Sequence, residues 1–237
     1  MLTIRQWILA GFLVACLGYS PLLAQQTISG DLSGALGPGE FLVVGDCNIP
    51  QGETLVIQPG TTLLFSGHYA FNVYGQLNAE GTESDSIKFL RQYPIEEYKH
   101  GGIRIQPGAS TENTIIYCRI DYADNPDFPD CWGGGIFCYD AGVTVANCTI
   151  TNCRALFGAG IYVIGSTATV SECTITDCYA IAEGGAIYSV YSSIVVSDCV
   201  IMNNTADQVA GIHIYTDEDA EVRNCIVAYN TAISSAA

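Results

Sequence analysis

Four aspartates stand at a regular step of three in DYADNPDFPDCW: Asp121, Asp124, Asp127 and Asp130. Hard oxygen ligands gathered on one loop suit calcium, so chemistry could reside here first. The loop lacks the internal glycine and closing glutamate of an EF-hand, and a solvated acidic turn is the competing reading. TDEDAE at 216–221 is a second acidic turn of the same kind. Another constellation is aromatic. Phe137, Tyr162, Tyr188 and His213 each follow an isoleucine in WGGGIFCY, GAGIYVI, EGGAIYSV and VAGIHIY, and Arg104 takes the same place in GGIRI. If the isoleucines point inward, these neighbours point outward as a stripe. Flat exposed aromatics in a row can hold sugar rings, with phenol and imidazole supplying hydrogen bonds. The alternative is a ladder that only ties neighbouring coils together. His68 and His100 are lone histidines in loop-like surroundings and read as ordinary surface residues.

The elements that must position these groups follow from spacing. Ile136, Ile161, Ile187 and Ile212 are 25, 26 and 25 residues apart. An independent phrase, NCTI, ECTI, DCVI and NCIV, carries Cys148, Cys173, Cys199 and Cys225 at steps of 25, 26 and 26. Two unrelated phrases sharing one period indicate a solenoid. Within each unit short alternating strands are separated by turns. Val145, Val170, Val196 and Val222 fall on one inward face, and after a polar bend so do Cys148 and Ile150. The Gly-Gly pairs would make the tight corner that turns one coil into the next strand. No helical pattern intervenes, and 25 Gly and 14 Tyr with only 2 Met point to an all-β chain.

Like residues should therefore stack about 4.8 Å apart. Cys118, Cys148, Cys173, Cys199 and Cys225 would form an interior ladder of small, inert thiols rather than a zinc site, because a one-sided column does not converge tetrahedrally. Cys153 and Cys178 continue into Asn204 and Asn230, whose amides could satisfy turn backbone groups. Cys131 and Cys138, flanking a loop, are the expected disulfide.

The period, the strand pattern and the glycine placement resemble right-handed parallel β-helix proteins of the pectate-lyase-like superfamily, of the secreted bacterial type. ETLVIQPGTTLLF, FNVYGQLNAEGTESDSIKF and GGIRIQPGAS resemble the N-terminal coils of such proteins. The resemblance implies a right-handed solenoid of about 7–8 coils, but not one activity, because the architecture carries lyases, hydrolases, epimerases, esterases and adhesins. A lyase of this kind would need calcium-binding aspartates and a nearby basic side chain, for which Lys99, Arg104 and Arg119 are available. Motifs resembling those of galacturonan hydrolases and alginate epimerases are missing.

Residues 1–24 hold one early Arg, an apolar run from Trp7 to about Leu17 and Leu22-Leu23-Ala24 before Gln25, the pattern of a secretory signal. The apolar run is too short to span a membrane. Leu13-Val14-Ala15-Cys16 offers a lesser alternative, lipidation at Cys16. Removal of this segment takes Arg5 and leaves 7 basic against 24 acidic side chains, a formal charge of -17. Such a surface repels nucleic acid and attracts cations. The expected organisation is a signal at 1–24, a lead-in or cap at 25–39 and a β-helix over 40–237. The helix ends midway through a coil without an evident cap, which suggests a fragment or a covered end. The function expected is an exported, non-catalytic protein binding extracellular polysaccharide or another surface ligand, with no cofactor or with calcium. A calcium-dependent lyase of acidic polysaccharide and an adhesin-like spacer are the alternatives.

Overall fold

Strands of three to five residues with strict inward–outward alternation cannot bury an apolar face alone. They do so here by coiling. The computed structural model describes residues 25–93, 99–125, 131–215 and 219–234. These form a right-handed parallel β-solenoid of about seven turns. No helix occurs among the described residues, and none is long and apolar enough to cross a membrane. The proposed leader with Cys16, together with Asp127 and Asp130, lies outside the described residues, as does part of the 216–221 turn.

Each turn contributes to successive parallel stacks. The first stack runs through Phe71–Val73, Ile103–Ile105, Ile136–Tyr139, Ile161–Ile164, Ile187–Val190 and Ile212–Tyr215. The second holds Asn113–Ile116, Gly142–Ala146, Thr167–Ser171 and Ser193–Ser197, and the third Cys118–Asp121, Thr149–Thr151, Thr174–Thr176 and Val200–Met202. A short fourth stack includes Asp124–Asn125, Arg154–Phe157 and Tyr179–Glu183. The long strand Gly39–Ile49 bends between the first and third stacks and joins them into one sheet. Residues 25–39 already belong to the coil: Gln26–Asp31 pairs with Gly39–Ile49, and Gly34–Leu36 with Thr54–Ile57.

The register is the one the repeat requires, with Ile136, Ile161, Ile187 and Ile212 as adjacent rungs. Ile136, Ile161 and Ile187 are fully buried, as are Val145, Val170 and Val196. Before each cysteine of the interior column the chain passes through a left-handed residue: Tyr117, Asn147, Glu172, Asp198 or Asn224, with φ between 48° and 56°. The single thiol proton then faces two acceptors, the carbonyl two residues back and one in the coil below. Cys148 Sγ lies 3.2 Å from both Ala146 O and Ile115 O, and Cys173 Sγ lies 3.1 Å from Ser171 O and 3.6 Å from Val145 O. The carbonyls at the bend already accept backbone N–H groups from the coil below, Ala146 O from Tyr117 N and Ser171 O from Asn147 N at 3.0 Å each, and the thiols add a second, weaker contact. Burial pushes the Cys47 thiol up to about 12, and hydrogen bonding to Cys148 together with burial does the same for Cys173.

Higher in the parallel column, cysteine gives way to asparagine. Asn204 Oδ1 accepts from Cys178 N at 3.0 Å, and Asn204 Nδ2 donates to Ile175 O at 2.9 Å. Asn230 repeats both bonds one coil up, accepting from Asn204 N and donating to Ile201 O, each at 2.9 Å.

Two expectations are corrected here. Cys131 and Cys138 are both buried thiols, and the bridge between them is not formed. Cys138 points into the core, whereas Cys131 lies on the outer side, close enough to Tyr162 to influence its phenol. His100 is not a surface residue but fully buried, with its ring stacked on Phe65 at 4.4 Å and 17°. Its Nδ1 accepts from Gly102 N and its Nε2 donates to Asp121 O, both at 3.1 Å. The neutral imidazole thus satisfies both neighbours, and burial lowers its pKa from 6.5 to about 4.

Candidate ligand-binding face

The glycine corners decide what the outer face of the first stack can hold. Gly133, Gly158 and Gly184 have φ of 66°, 60° and 69°. A Cβ on Gly158 would lie 2.8 Å from the Tyr162 Cβ, and one on Gly184 would lie 2.6 Å from the Tyr188 Cβ. The missing side chains thus make room for the aromatic of the strand that follows each corner.

Outward residues of this stack form one continuous row: Asn48, Asn72, Arg104, Phe137, Tyr162, Tyr188 and His213. All four residues expected in the stripe are together. Phe137 and Tyr162 stack with centroids 5.8 Å apart, Tyr162 and Tyr188 at 5.3 Å and 12°, and Tyr188 meets His213 edge-on at 4.7 Å. The row is not uniformly exposed, however: Phe137 and Tyr162 are only 4% and 6% exposed. Trp132 covers both, its ring 6.3 Å from each and within 20° of parallel, while itself remaining 37% exposed. Burial accordingly pushes the Tyr162 phenol up to about 12.

Trp132 belongs to a side wall that alternation does not reveal. Trp132, Phe157 and Glu183 each immediately precede a left-handed glycine, and they are in register across the coils. Phe157 packs on Tyr188 at 5.4 Å, and Glu183 Oε2 approaches His213 Nδ1 at 2.9 Å, outside hydrogen-bond geometry. Burial raises the pKa of the Tyr188 phenol, and the nearby Glu183 carboxylate raises it further. Spacings of 25 and 26 were the available signal for this wall, hidden because its three residues differ in chemistry.

Below the aromatics the row becomes polar. Arg104 is 5% exposed, with its guanidinium carbon 4.7 Å above the Phe137 ring and Nη1 donating to Trp132 O at 3.1 Å. It ties the Trp132 corner down and leaves little guanidinium surface for a ligand. Beside it lies a groove of about 560 Å³ lined by Asp46, His68, Asn72, Arg104, Gln106 and Asn125. Asn125 Nδ2 braces its wall by donating to Gly101 O at 2.9 Å and Gly133 O at 3.0 Å.

Asp121 and Asp124 sit elsewhere, at the corner between the third and fourth stacks, and both are nearly buried. Asp121 accepts from Arg119 Nη2 at 2.7 Å and from Thr151 Oγ1 and Asn152 Nδ2 at 2.9 Å each. Asp124 Oδ2 pairs with Lys99 at 2.8 Å, and its Oδ1 lies 3.9 Å from Arg154. Calcium would have to displace these donors before using either carboxylate. Among the described residues no group of three or more His, Cys, Asp or Glu converges for a metal ion.

Comparison with known proteins agrees with the coil. A family model described as "Right handed beta helix region" matches residues 101–236. The chain belongs to the right-handed β-helix family. It is also similar to Protein bark beetle of Drosophila melanogaster, 39% identical over 64 residues. That match takes in 26% of this chain and 2% of the fly protein, so the chain spans a very small part of its relative. No solved structure matches. The family carries both pectate-lyase-like enzymes and surface proteins, and fold alone does not choose between them.

Proposed function

We propose that this β-helix protein is an exported, non-catalytic ligand-binding solenoid that holds an extended glycan along the outer face of its first stack. The observation carrying this reading is the partly exposed aromatic wall continuous with the polar groove. Trp132 offers an exposed ring and Tyr188 a half-buried one packed between Tyr162 and His213, while Asn72, Gln106 and His68 offer hydrogen-bonding groups in the adjoining groove. Sugar rings stack on aromatics through their C–H faces and direct hydroxyls sideways, which matches this arrangement. Export rests on the pattern of residues 1–24, and the surface charge disfavours nucleic acid as a partner.

The lyase alternative has less support. Arg119 is paired with Asp121 and Lys99 with Asp124, and the Arg104 guanidinium is held under Trp132. A panel of soluble oligosaccharides tests the proposal, read by calorimetry on wild type and on Trp132→Ala and Tyr188→Ala. Binding to at least one glycan, weakened about tenfold or more by either substitution, is expected, since base–aromatic or sugar–aromatic stacking of this kind contributes about 1–3 kcal/mol. Binding untouched by both substitutions would remove the platform.

A further inference from the structure

The two ends of the aromatic row differ in one respect that bears on the chemistry of the ligand. At the lower end the protein lays its own cation, Arg104, over the Phe137 ring at 4.7 Å. At the upper end the aromatic side wall finishes in a carboxylate: Glu183 takes the position that Trp132 and Phe157 hold in the coils below. Its Oε2 lies 2.9 Å from His213 Nδ1. Tyr215, 50% exposed, sits with its ring 6.4 Å from His213. Ring faces beside a partly exposed carboxylate form a cation-accepting corner, because the π-face and the carboxylate present negative charge to the same space. The whole chain carries a formal charge of -16, so a polyanion is repelled before it arrives. Arg104 is the only Lys or Arg in the row, and it is already engaged with Trp132 O and the Phe137 ring.

We infer that the preferred ligand is an amino-sugar glycan, lying along the Trp132–Tyr188 wall with an ammonium group against Glu183, rather than a uronate polymer. This rests on the glycan-binding reading above and adds the charge of the ligand to it. The test compares matched oligomers of glucosamine and N-acetylglucosamine, an oligogalacturonate and a simple alkyl diamine, in weakly acidic buffer where the amine is charged. Calorimetry on the full chain is expected to give about tenfold tighter binding of the deacetylated than of the acetylated oligomer. Glu183→Gln should abolish that difference. Oligogalacturonate bound as tightly as the amino sugar, or equal binding of the acetylated and deacetylated forms, would overturn the inference while glycan binding stood. So would a diamine that binds as well as the oligomer, since the ring would then play no part. Binding of no oligosaccharide at all would bring down the glycan reading and this inference together.

Discussion

His100 gives the fold a built-in sensitivity to acid whose size can be worked out. Its ring is fully buried against Phe65, with Nδ1 accepting from Gly102 N and Nε2 donating to Asp121 O. Burial opposes protonation, and so does the neighbouring His68, whereas the Asp121 carbonyl and carboxylate favour it; the net result is a pKa of about 4. In the unfolded chain the imidazole titrates near 6.5. Below that pH the unfolded state takes up a proton that the native state refuses, so stability is complete above 6.5 and is lost as pH falls towards 4. Between pH 7 and 4.5 the loss comes to about 2 kcal/mol from this one group. Carboxylates titrate in the same window, so the contribution must be isolated by comparison with His100→Gln, which keeps a donor and an acceptor but does not titrate. Urea unfolding followed by circular dichroism at a series of pH values should show wild type falling about 2 kcal/mol further than the variant. Parallel curves for the two proteins would refute the reasoning.

Asn204→Ala leaves Cys178 N and Ile175 O without their buried partners and should cost about 2–4 kcal/mol in urea unfolding, more than an exposed asparagine such as Asn203. Gly184→Ala places a Cβ 2.6 Å from that of Tyr188 at a φ of 69° and should cost about 2–4 kcal/mol, whereas Gly52→Ala, open at a φ of 80°, should cost only about 1 kcal/mol. The interior thiols should resist alkylation in the folded protein and react only on denaturation. Desolvation holds Cys138 near 11 and Cys153 well above its ordinary value, and the less buried Cys225 should be the first to react when mass spectrometry follows the course.

The coil was legible because every rung must repeat the same inward residue at the same step. The glycine corners, the Cys148-to-Cys225 column and the passage from Cys178 to Asn204 and Asn230 all obey one spacing, and the structure stacks each of them. The aromatic row was legible for the same reason. What spacing could not convey was depth. Trp132, Phe157 and Glu183 share the register but not the chemistry, so nothing in the residue types marked them as one wall over Phe137, Tyr162 and Tyr188. Pairings between positions of different phase were also hidden. The aspartate step of three suggested a ligand set, yet Asp121 meets Thr151 and Asn152 from the coil above, and Asp124 meets Lys99 from the coil below. His100 looked solitary in sequence because Phe65, which covers its ring, comes from another coil.

The central claim is that the outer face of the first stack receives a ligand across Trp132. The chain has 2 Trp, and the other, Trp7, lies in the leader-like segment, so indole fluorescence reports on Trp132 over a constant background. Titration with a glycan that binds should shift or quench that emission saturably, and Tyr188→Ala should weaken the response about tenfold or more in parallel with calorimetric affinity. A glycan that binds by calorimetry while the Trp132 emission stays unchanged would place the ligand elsewhere on the solenoid and contradict the account.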